Sequence, residues 1–319
     1  EEPPLQLIAL PQGQIWIERN TVFAETHGVG VADQHGVLQE ELCRRYPWQW
    51  PGCSQADQRR QDSLTQLAHQ PPPAASVKGP VLAVADLSAE LHYHGQLELL
   101  PRLGRAWQQL APQLPGLRLW HNGGQAPALQ QALARLGVPP ERQLCAQGHP
   151  RLQAEQLWVP SFSSLFGQPR ATSLTWLREF WREAVAELPK QPGARALVLL
   201  RPPGQRRPLL QHEAWLETLQ ARGFQPLPDA PVARQLQALQ QCEQVVAVHG
   251  GAMANLLLAP AGAALLELAN PAYAPPYFAS LIAHGTMRHQ RRLGAATPQV
   301  LQDLLYAGPL EWPVDLPPG

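Results

Sequence analysis

The stretch VVAVHGGAMANLLLAPAGAALLEL, residues 245–268, decides the fold of this chain. It is apolar enough to suggest a membrane span, which needs about 20 consecutive apolar residues. Pro260 and Gly262 interrupt the run, however, and Glu267 would be a costly charge inside a bilayer. We therefore expect a soluble protein in which this stretch forms four short elements. They are a strand at 245–248, a turn at 249–251, a helix at 252–259 and a second strand at 264–268.

Composition limits the functions that the chain can have. Its 319 residues exceed the usual size of a single core, which predicts two domains. The formal net charge is zero, so no electrostatic signature of nucleic-acid binding is present. Because the apolar run at 245–268 is interrupted, we also expect no transmembrane span. Only Lys78 and Lys190 are lysines, so arginines are expected to hold any bound phosphate.

The four cysteines are scattered and include no CxxC spacing. This pattern suggests neither a zinc site nor a disulfide framework, although a Cys43–Cys53 bridge stays open. Reduced thiols are the simpler interpretation, and they favour a cytoplasmic or membrane-peripheral location.

Residues 190–270 predict alternating strands and helices, which is typical of a parallel sheet covered by helices. The expected elements are strands at 196–201 and 224–227, helices at 210–222 and 232–241, and the four pieces given above. The first half predicts a similar but less regular pattern, with strands at 81–86, 117–120 and 157–159 and helices at 97–110 and 128–136.

We expect an N-terminal α/β domain at 1–165 and a C-terminal one at 166–319. Residues 1–80 are expected to be an irregular N-terminal portion, ending in the linker QPPPAASVKGP at 70–80. The proline and serine content at 160–175 suggests a hinge between the two domains.

His249 follows directly after a predicted strand of the C-terminal domain, which is where open α/β sheets bind ligands. Gly250 and Gly251 would begin the next helix, whose N-terminus offers unpaired N–H groups and a partial positive charge. This arrangement suits a diphosphate. The alternative is a glycine-eased turn beside a buried histidine, and geometry alone favours neither.

Two further polar residues follow His249. Asn255 lies one helical turn beyond Gly251 and could face the same crevice or bond a neighbouring loop. Glu267 is expected at the end of the next strand, a usual position for a carboxylate that binds ribose hydroxyls. The alternative for Glu267 is a solvent-exposed strand end.

A second group of candidate residues lies in LLRPPGQRRP, 199–208. Arg201 is expected at the carboxyl end of its strand, with Arg206 and Arg207 in the loop that follows. Guanidinium groups on this loop could bind phosphates in a bidentate manner at the same sheet edge as His249. Exposed loop arginines are common, so this signal is weak by itself.

The third group lies in LHYHGQLELLPRL, 91–103. His94 and Glu98 are one helical turn apart and should share a face of the helix. Such a pair can act as a general base with its orienting carboxylate, or it can be an ordinary surface pair.

These blocks together resemble the glycosyltransferase 61 family (the DUF563 domain). Residues 245–268 are similar to its pattern of a hydrophobic run, HGAGLTNLLF, a proline and a strand ending in Glu. YHGQLELLPRL is similar to its YHWLLExLPRL block, with Gly95 in place of the usual Trp. The loop of Arg201, Arg206 and Arg207 resembles its central arginine block. Three blocks in the family's order span about residues 90–290.

The resemblance implies a GT-B architecture, in which two Rossmann-like domains face each other across a cleft and the C-terminal one binds the nucleotide-sugar donor. It implies an inverting, metal-independent enzyme that transfers a sugar, with UDP-sugars favoured, to a hydroxyl of a glycan or surface polysaccharide. No Asp-x-Asp metal motif occurs in the sequence. The implied catalytic residues are His94, Glu98 and His249; the implied donor-binding residues are Arg201, Arg206, Arg207, His249, Gly250, Gly251, Asn255 and Glu267; Arg102 is assigned to the acceptor side.

Two other functions remain compatible with the sequence. One is a GT-B protein that binds a nucleotide or glycan without turnover, and the other is a nucleotide-sugar epimerase. An epimerase would need no acceptor, whereas a transferase would.

Overall fold

A computed structural model gives the fold and describes residues 4–19, 27–44, 75–162, 167–201, 212–269 and 276–293. The chain divides into two compact units, Glu1–Ser173 and Leu174–Gly319. Both contain sheets and helices, which confirms the predicted α/β class. The predicted domain boundary, after residue 165, falls a few residues before this division.

The first unit is built on a seven-stranded mixed sheet. Its strands are β1 (Leu7–Pro11), β2 (Gln14–Arg19), β3 (His27–Ala32), β4 (Ala75–Val84), β5 (Arg118–His121), β6 (Gln143–Cys145) and β7 (Arg151–Pro160). The last four are parallel and lie in the order β6-β5-β4-β7. β1 and β2 pair antiparallel with β7, and β3 continues the sheet beyond β2.

The prediction of an irregular N-terminal portion is therefore wrong for the three strands β1 to β3. Their alternate apolar residues, among them Ile15, Val29 and Val31, are buried in the same core as Trp120 and Leu157 of the parallel strands. This period of two is the pattern of a sheet with one buried face. The strands are short, which is why their alternation is easily missed.

The linker predicted at 70–80 is also wrong where the structure describes it, because residues 75–80 open β4. The register between β4 and β7 shifts between Val77 and Pro80, and Gly79 has a φ of +79°. A bulge of this kind accommodates both a glycine and a proline inside a strand. The Pro/Gly composition thus marks an irregularity in a strand.

A helical run follows β4 and carries His94. It consists of one α-helical turn (His92–His94), a π-helical turn (Gly95–Leu99) and helix α1 (Leu100–Leu110), whose apolar face is buried. Pro101 explains the π turn, because it has no N–H to donate and its ring crowds the carbonyl four residues earlier. Helix α2 (Pro127–Arg135) lies between β5 and β6.

The second unit has a five-stranded, fully parallel sheet. Its strands are β8 (Ala196–Leu199), β9 (Gln225–Pro226), β10 (Gln244–Val248), β11 (Ala264–Ala269) and β12 (Arg288–Leu293). Its helices are α3 (Ala171–Ala186), α4 (His212–Gln220), α5 (Val232–Leu239) and α6 (Ala279–Gly285), and α3 begins in the first unit. The spatial order is β12-β11-β10-β8-β9. Val198, Val246 and Leu266 form part of a core with Trp215 of α4.

The opening stretch of the sequence forms the elements that it predicts. β10, the turn at His249, an eight-residue helix (Gly251–Leu258) and β11 follow in that order, and the helix is of the 3-10 type. Among the residues that the structure describes, no helix combines the length and apolar character that crossing a membrane requires.

The parallel strands of each sheet reverse their order at one place. The reversal lies between β4 and β7 in the first unit and between β8 and β10 in the second. Ligands of open α/β sheets bind outside the carboxyl ends of the strands at such a switch point. Arg201 lies two residues beyond β8 and His249 directly follows β10, so both residues lie at the switch point of the second sheet.

Candidate active site

His94 and Glu98 form a buried hydrogen-bonded pair in the first unit. Nδ1 of His94 lies 2.6 Å from Oε2 of Glu98, and the two residues are 6% and 0% exposed. The helical spacing predicted this contact. A carboxylate at Nδ1 favours the tautomer with the proton on that nitrogen, and it stabilises the imidazolium that forms when Nε2 accepts a proton.

Two residues outside the predicted site hold Glu98. The backbone N–H of Gly167 donates a hydrogen bond to its Oε1, and the Tyr93 hydroxyl donates to the Gly167 carbonyl at 2.9 Å. Burial, and then the negative charge of Glu98, raise the pKa of Tyr93 far above its ordinary value. Tyr93 therefore stays a neutral hydrogen-bond donor. No pattern in the sequence indicates Gly167 as a partner of Glu98, because the two residues lie 69 positions apart.

Gly95 allows the chain to pass close to the carbonyl of Ala89. A Cβ at Gly95 would lie 2.7 Å from that oxygen. This is closer than carbon and oxygen atoms approach without strain, so a larger side chain requires a shift of the backbone. The glycine at this position thus fits the local packing of the π turn that carries Glu98.

Arg102 is fully enclosed at the switch point of the first sheet. It donates to the carbonyls of Ala85 (2.9 Å) and Pro160 (2.9 Å), beyond β4 and at the end of β7, and it lies 3.5 Å from Asp86. Its guanidinium also stacks 4.0 Å from the Phe162 ring centroid. Burial, opposed by the charge of Asp86, lowers its pKa to about 10. These contacts favour a structural role for Arg102, and its assignment to the acceptor side stays a prediction.

In the second unit, Arg201 lies against the turn formed by His249 and Gly250. Its Nη2 donates to the His249 carbonyl at 3.0 Å, which joins the end of β10 to the loop after β8 across the switch point. A Cβ at Gly250 would lie 2.0 Å from Nη2 of Arg201. A side chain at residue 250 would therefore displace the guanidinium of Arg201, whereas the backbone of Gly250 is extended (φ 167°) and would suit any residue.

Glu267 occupies a position that the sequence did not predict. It was expected to end its strand, but β11 continues to Ala269 and Glu267 is completely buried. Its carboxylate accepts from Nδ1 of His249 at 2.5 Å, from Nε2 of His289 at 2.8 Å and from the Arg291 guanidinium at 2.9 and 3.1 Å. Burial alone would raise its pKa, but these hydrogen bonds and the charge of Arg291 lower the pKa well below its ordinary range.

The remaining predicted donor residues are distributed differently. Nδ2 of Asn255 donates to the Gln235 side chain on α5 at 2.6 Å, which agrees with the alternative that it bonds a neighbouring segment. Gly251 begins the 3-10 helix. Arg206 and Arg207 lie outside the described residues, as does Cys53. Within the described ranges, no group of three or more His, Cys, Asp or Glu side chains is arranged to hold a metal ion.

The family model for glycosyltransferase 61 matches residues 91–266, which is more than half of the chain. The chain belongs to the glycosyltransferase 61 family. It is therefore a glycosyltransferase, an enzyme of class EC 2.4 whose partners are a sugar donor and an acceptor. The matched segment begins just before the His94–Glu98 pair and ends one residue before Glu267.

Among solved structures, this glycosyltransferase 61 chain is similar to the bacterial iron-containing dodecameric glycosyltransferase TibC from enterotoxigenic E. coli H10407. The identity is 10%, the match covers 86% of this chain and 78% of the other, and the TM-score is 0.29. A search of curated protein sequences gives no match.

Proposed function

We propose that this glycosyltransferase 61 protein is an inverting, metal-independent enzyme of GT-B type, which transfers a sugar from a nucleoside diphosphate to a hydroxyl. The observation that carries the proposal is the contact of Arg201 with the His249–Gly250 turn at the switch point of the second sheet. A fixed guanidinium there lies where open α/β sheets bind phosphorylated ligands.

The donor diphosphate would be bound by charge-assisted hydrogen bonds. Arg201, together with Arg206 and Arg207, supplies guanidinium groups, and the amides of Gly250 and Gly251 supply N–H donors at the start of the 3-10 helix. These groups stabilise the negative charge that grows on the diphosphate as its bond to the sugar breaks. Their positive charge takes the role that a metal ion fills in other transferases.

The acceptor would be activated by the His94–Glu98 pair. The acceptor oxygen attacks the anomeric carbon from the face opposite the diphosphate, and its proton passes to Nε2 of His94. The Nδ1–H of His94 stays bonded to Glu98, which stabilises the imidazolium. One displacement at the anomeric carbon inverts its configuration. His249 would act beside the leaving group rather than at the acceptor.

We favour a UDP-sugar as donor and a glycan or surface polysaccharide as acceptor, on the cytoplasmic side of the membrane. Calorimetric titration of the whole chain with UDP and GDP, each with and without magnesium, tests the donor part. We expect UDP to bind with an affinity that magnesium leaves unchanged. Binding of neither nucleotide would overturn the proposal, and retention of the anomeric configuration in the product, read by proton NMR, would overturn its inverting mechanism.

A further inference from the structure

Glu267 and the three residues bonded to it, His249, His289 and Arg291, lie on one face of the second sheet. Glu267 is in register with Ala247 on β10 and with Arg291 on β12. Side chains two residues apart in a strand point to the same face of the sheet. His249 lies two residues after Ala247, and His289 lies two residues before Arg291, so both histidines share the face of Glu267. Three adjacent parallel strands thus bring two histidines and one arginine to one buried carboxylate.

Each carboxylate oxygen of Glu267 accepts one hydrogen bond from a histidine and one from Arg291. Oε1 accepts from His249 and from Nη2 of Arg291, whereas Oε2 accepts from His289 and from Nε of Arg291. Arg291 therefore binds both oxygens with its planar fork, which fixes the plane of the carboxylate. Oε1 therefore cannot rotate away from His249 without losing its bond to Arg291.

The position of His249 is also fixed by its surroundings. Its ring lies edge-to-face with Phe278 at 5.3 Å between centroids, and its backbone N–H donates to the Leu268 carbonyl at 2.8 Å. With Nδ1 bonded to Glu267, Nε2 lies on the side of the ring that faces away from the carboxylate. An imidazole held in one tautomer and one orientation can present Nε2 repeatedly to the same atom of a bound ligand.

We propose that His289 and Arg291 are positioning residues for the sugar transfer, which act through Glu267 to hold His249 in its Nδ1–H tautomer. Neither residue was among the sequence candidates, and both lie beyond the segment that the family model matches. The expected effect on turnover rests on the proposed function. The tautomer of the His249 ring does not depend on that function.

The test uses the full chain with histidines labelled in ¹⁵N, and the signals of His249 are assigned by their loss in a His249→Gln variant. In the wild-type protein we expect a single set of His249 signals, in which Nδ1 carries the proton that is bonded to Glu267. Arg291→Gln should leave the circular-dichroism spectrum native and convert His249 to a mixture of tautomers. Arg291→Lys should restore part of the wild-type signal, and Arg288→Gln, on the same strand, should have no effect.

Turnover gives the second readout. Because small displacements of a reacting group cost about a hundredfold in rate, Arg291→Gln should lower kcat by about 10- to 100-fold and change KM for the UDP-sugar by less than about threefold. His289 has a partly exposed side chain (25%), so His289→Gln is the variant to use should Arg291→Gln fail to fold. It should shift the same NMR signals with a smaller loss of kcat.

An unchanged His249 tautomer in both Arg291→Gln and His289→Gln would overturn the positioning role, whatever the activity. The same holds if wild-type His249 shows no fixed tautomer. Failure of the wild-type protein to bind UDP would instead count against the proposed function, and the NMR comparison would still decide the inference about His289 and Arg291.

Discussion

The guanidinium of Arg201 occupies the space that a side chain at Gly250 would fill. Nη2 of Arg201 would lie 2.0 Å from a Cβ at residue 250. This relationship couples the loop after β8 to the turn after β10, the two segments that border the switch point of the second sheet. The glycine that follows the histidine thus makes room for an arginine.

Gly250→Ala should therefore displace Arg201 and weaken donor binding. A charge-assisted hydrogen bond contributes about 1.5–3 kcal/mol, so we expect UDP affinity to fall by about one to two orders of magnitude. Calorimetric titration measures this. Gly285→Ala is the matched control in the same unit, because a Cβ there meets its nearest atoms at 3.6 Å, an ordinary contact. Equal affinities in the two variants would contradict the role of the Arg201–Gly250 contact.

Gly95→Ala should destabilise the first unit and reduce turnover. The added methyl group would meet the Ala89 carbonyl at 2.7 Å, and overpacking of this kind costs about 1–3 kcal/mol. The resulting shift of the π turn would misplace Glu98. Urea unfolding and steady-state kinetics measure the two effects. Gly148→Ala, whose Cβ lies 3.8 Å from its nearest atom, should be neutral in both assays.

Local spacing explains which parts of the site could be predicted. The four-residue separation of His94 and Glu98 predicted that they meet, because helical residues one turn apart share a face. Gly167 and Tyr93 could not be found in this way. The bond from Gly167 to Glu98 depends on where the chain returns after β7, and no sequence pattern near Glu98 specifies that return.

In the second sheet, too, local patterns predicted the strands but did not predict contacts between residues far apart in the sequence. The apolar runs around 245–268 predicted β10 and β11, since buried parallel strands are continuous hydrophobic segments. The partners of Glu267 depend on β12 pairing with β11, and the strand RHQRRL has too few apolar residues to be recognised as part of a sheet. The sequence therefore predicted Glu267 at the end of its strand, either as a ribose-binding carboxylate or as an exposed strand end, whereas three side chains enclose it.

Glu267→Gln should destabilise the protein most at neutral pH. The folded state lowers the pKa of Glu267, so its carboxylate stabilises the fold above the unfolded pKa of about 4.3, and this contribution is lost progressively at lower pH. Removing one partner of a buried ion pair costs about 3 kcal/mol. Urea unfolding from pH 7 down to about pH 3 should show that the difference in unfolding free energy between wild type and variant becomes smaller.

Glu217→Gln on the exposed side of α4 serves as the control for this experiment and should match wild type throughout. A difference in unfolding free energy between wild type and Glu267→Gln that stays constant over the whole pH range would show that folding does not lower the pKa of Glu267.

His121 should make the protein acid-sensitive. It is completely buried, its ring nitrogens have no hydrogen-bond partner among the described residues, and burial lowers its pKa to about 4. Because the unfolded chain binds a proton below about pH 6.5 and the folded chain does not, stability falls by about 3 kcal/mol between pH 6.5 and 4. His121→Leu should remove this part of the decline.

Urea unfolding at several pH values measures the effect, with the exposed His35→Gln as control. We expect His121→Leu to be at least as stable as wild type at neutral pH, since it removes an unpaired polar group from the core. A wild-type acid decline that persists unchanged in His121→Leu would contradict the assignment.

The most direct test of the central claim, that the second unit binds the donor at its switch point, is the dissociation constant of UDP for Arg201→Ala, His94→Ala and Arg195→Ala. Arg195 is the matched arginine, because it lies before the amino end of β8 with an 80% exposed side chain, whereas Arg201 lies beyond the carboxyl end. We expect Arg201→Ala to raise the dissociation constant about 10- to 100-fold, and Arg195→Ala and His94→Ala to leave it nearly unchanged. His94→Ala should instead lower turnover at least about a hundredfold. Wild-type affinity in Arg201→Ala together with loss of UDP binding in His94→Ala would contradict this claim.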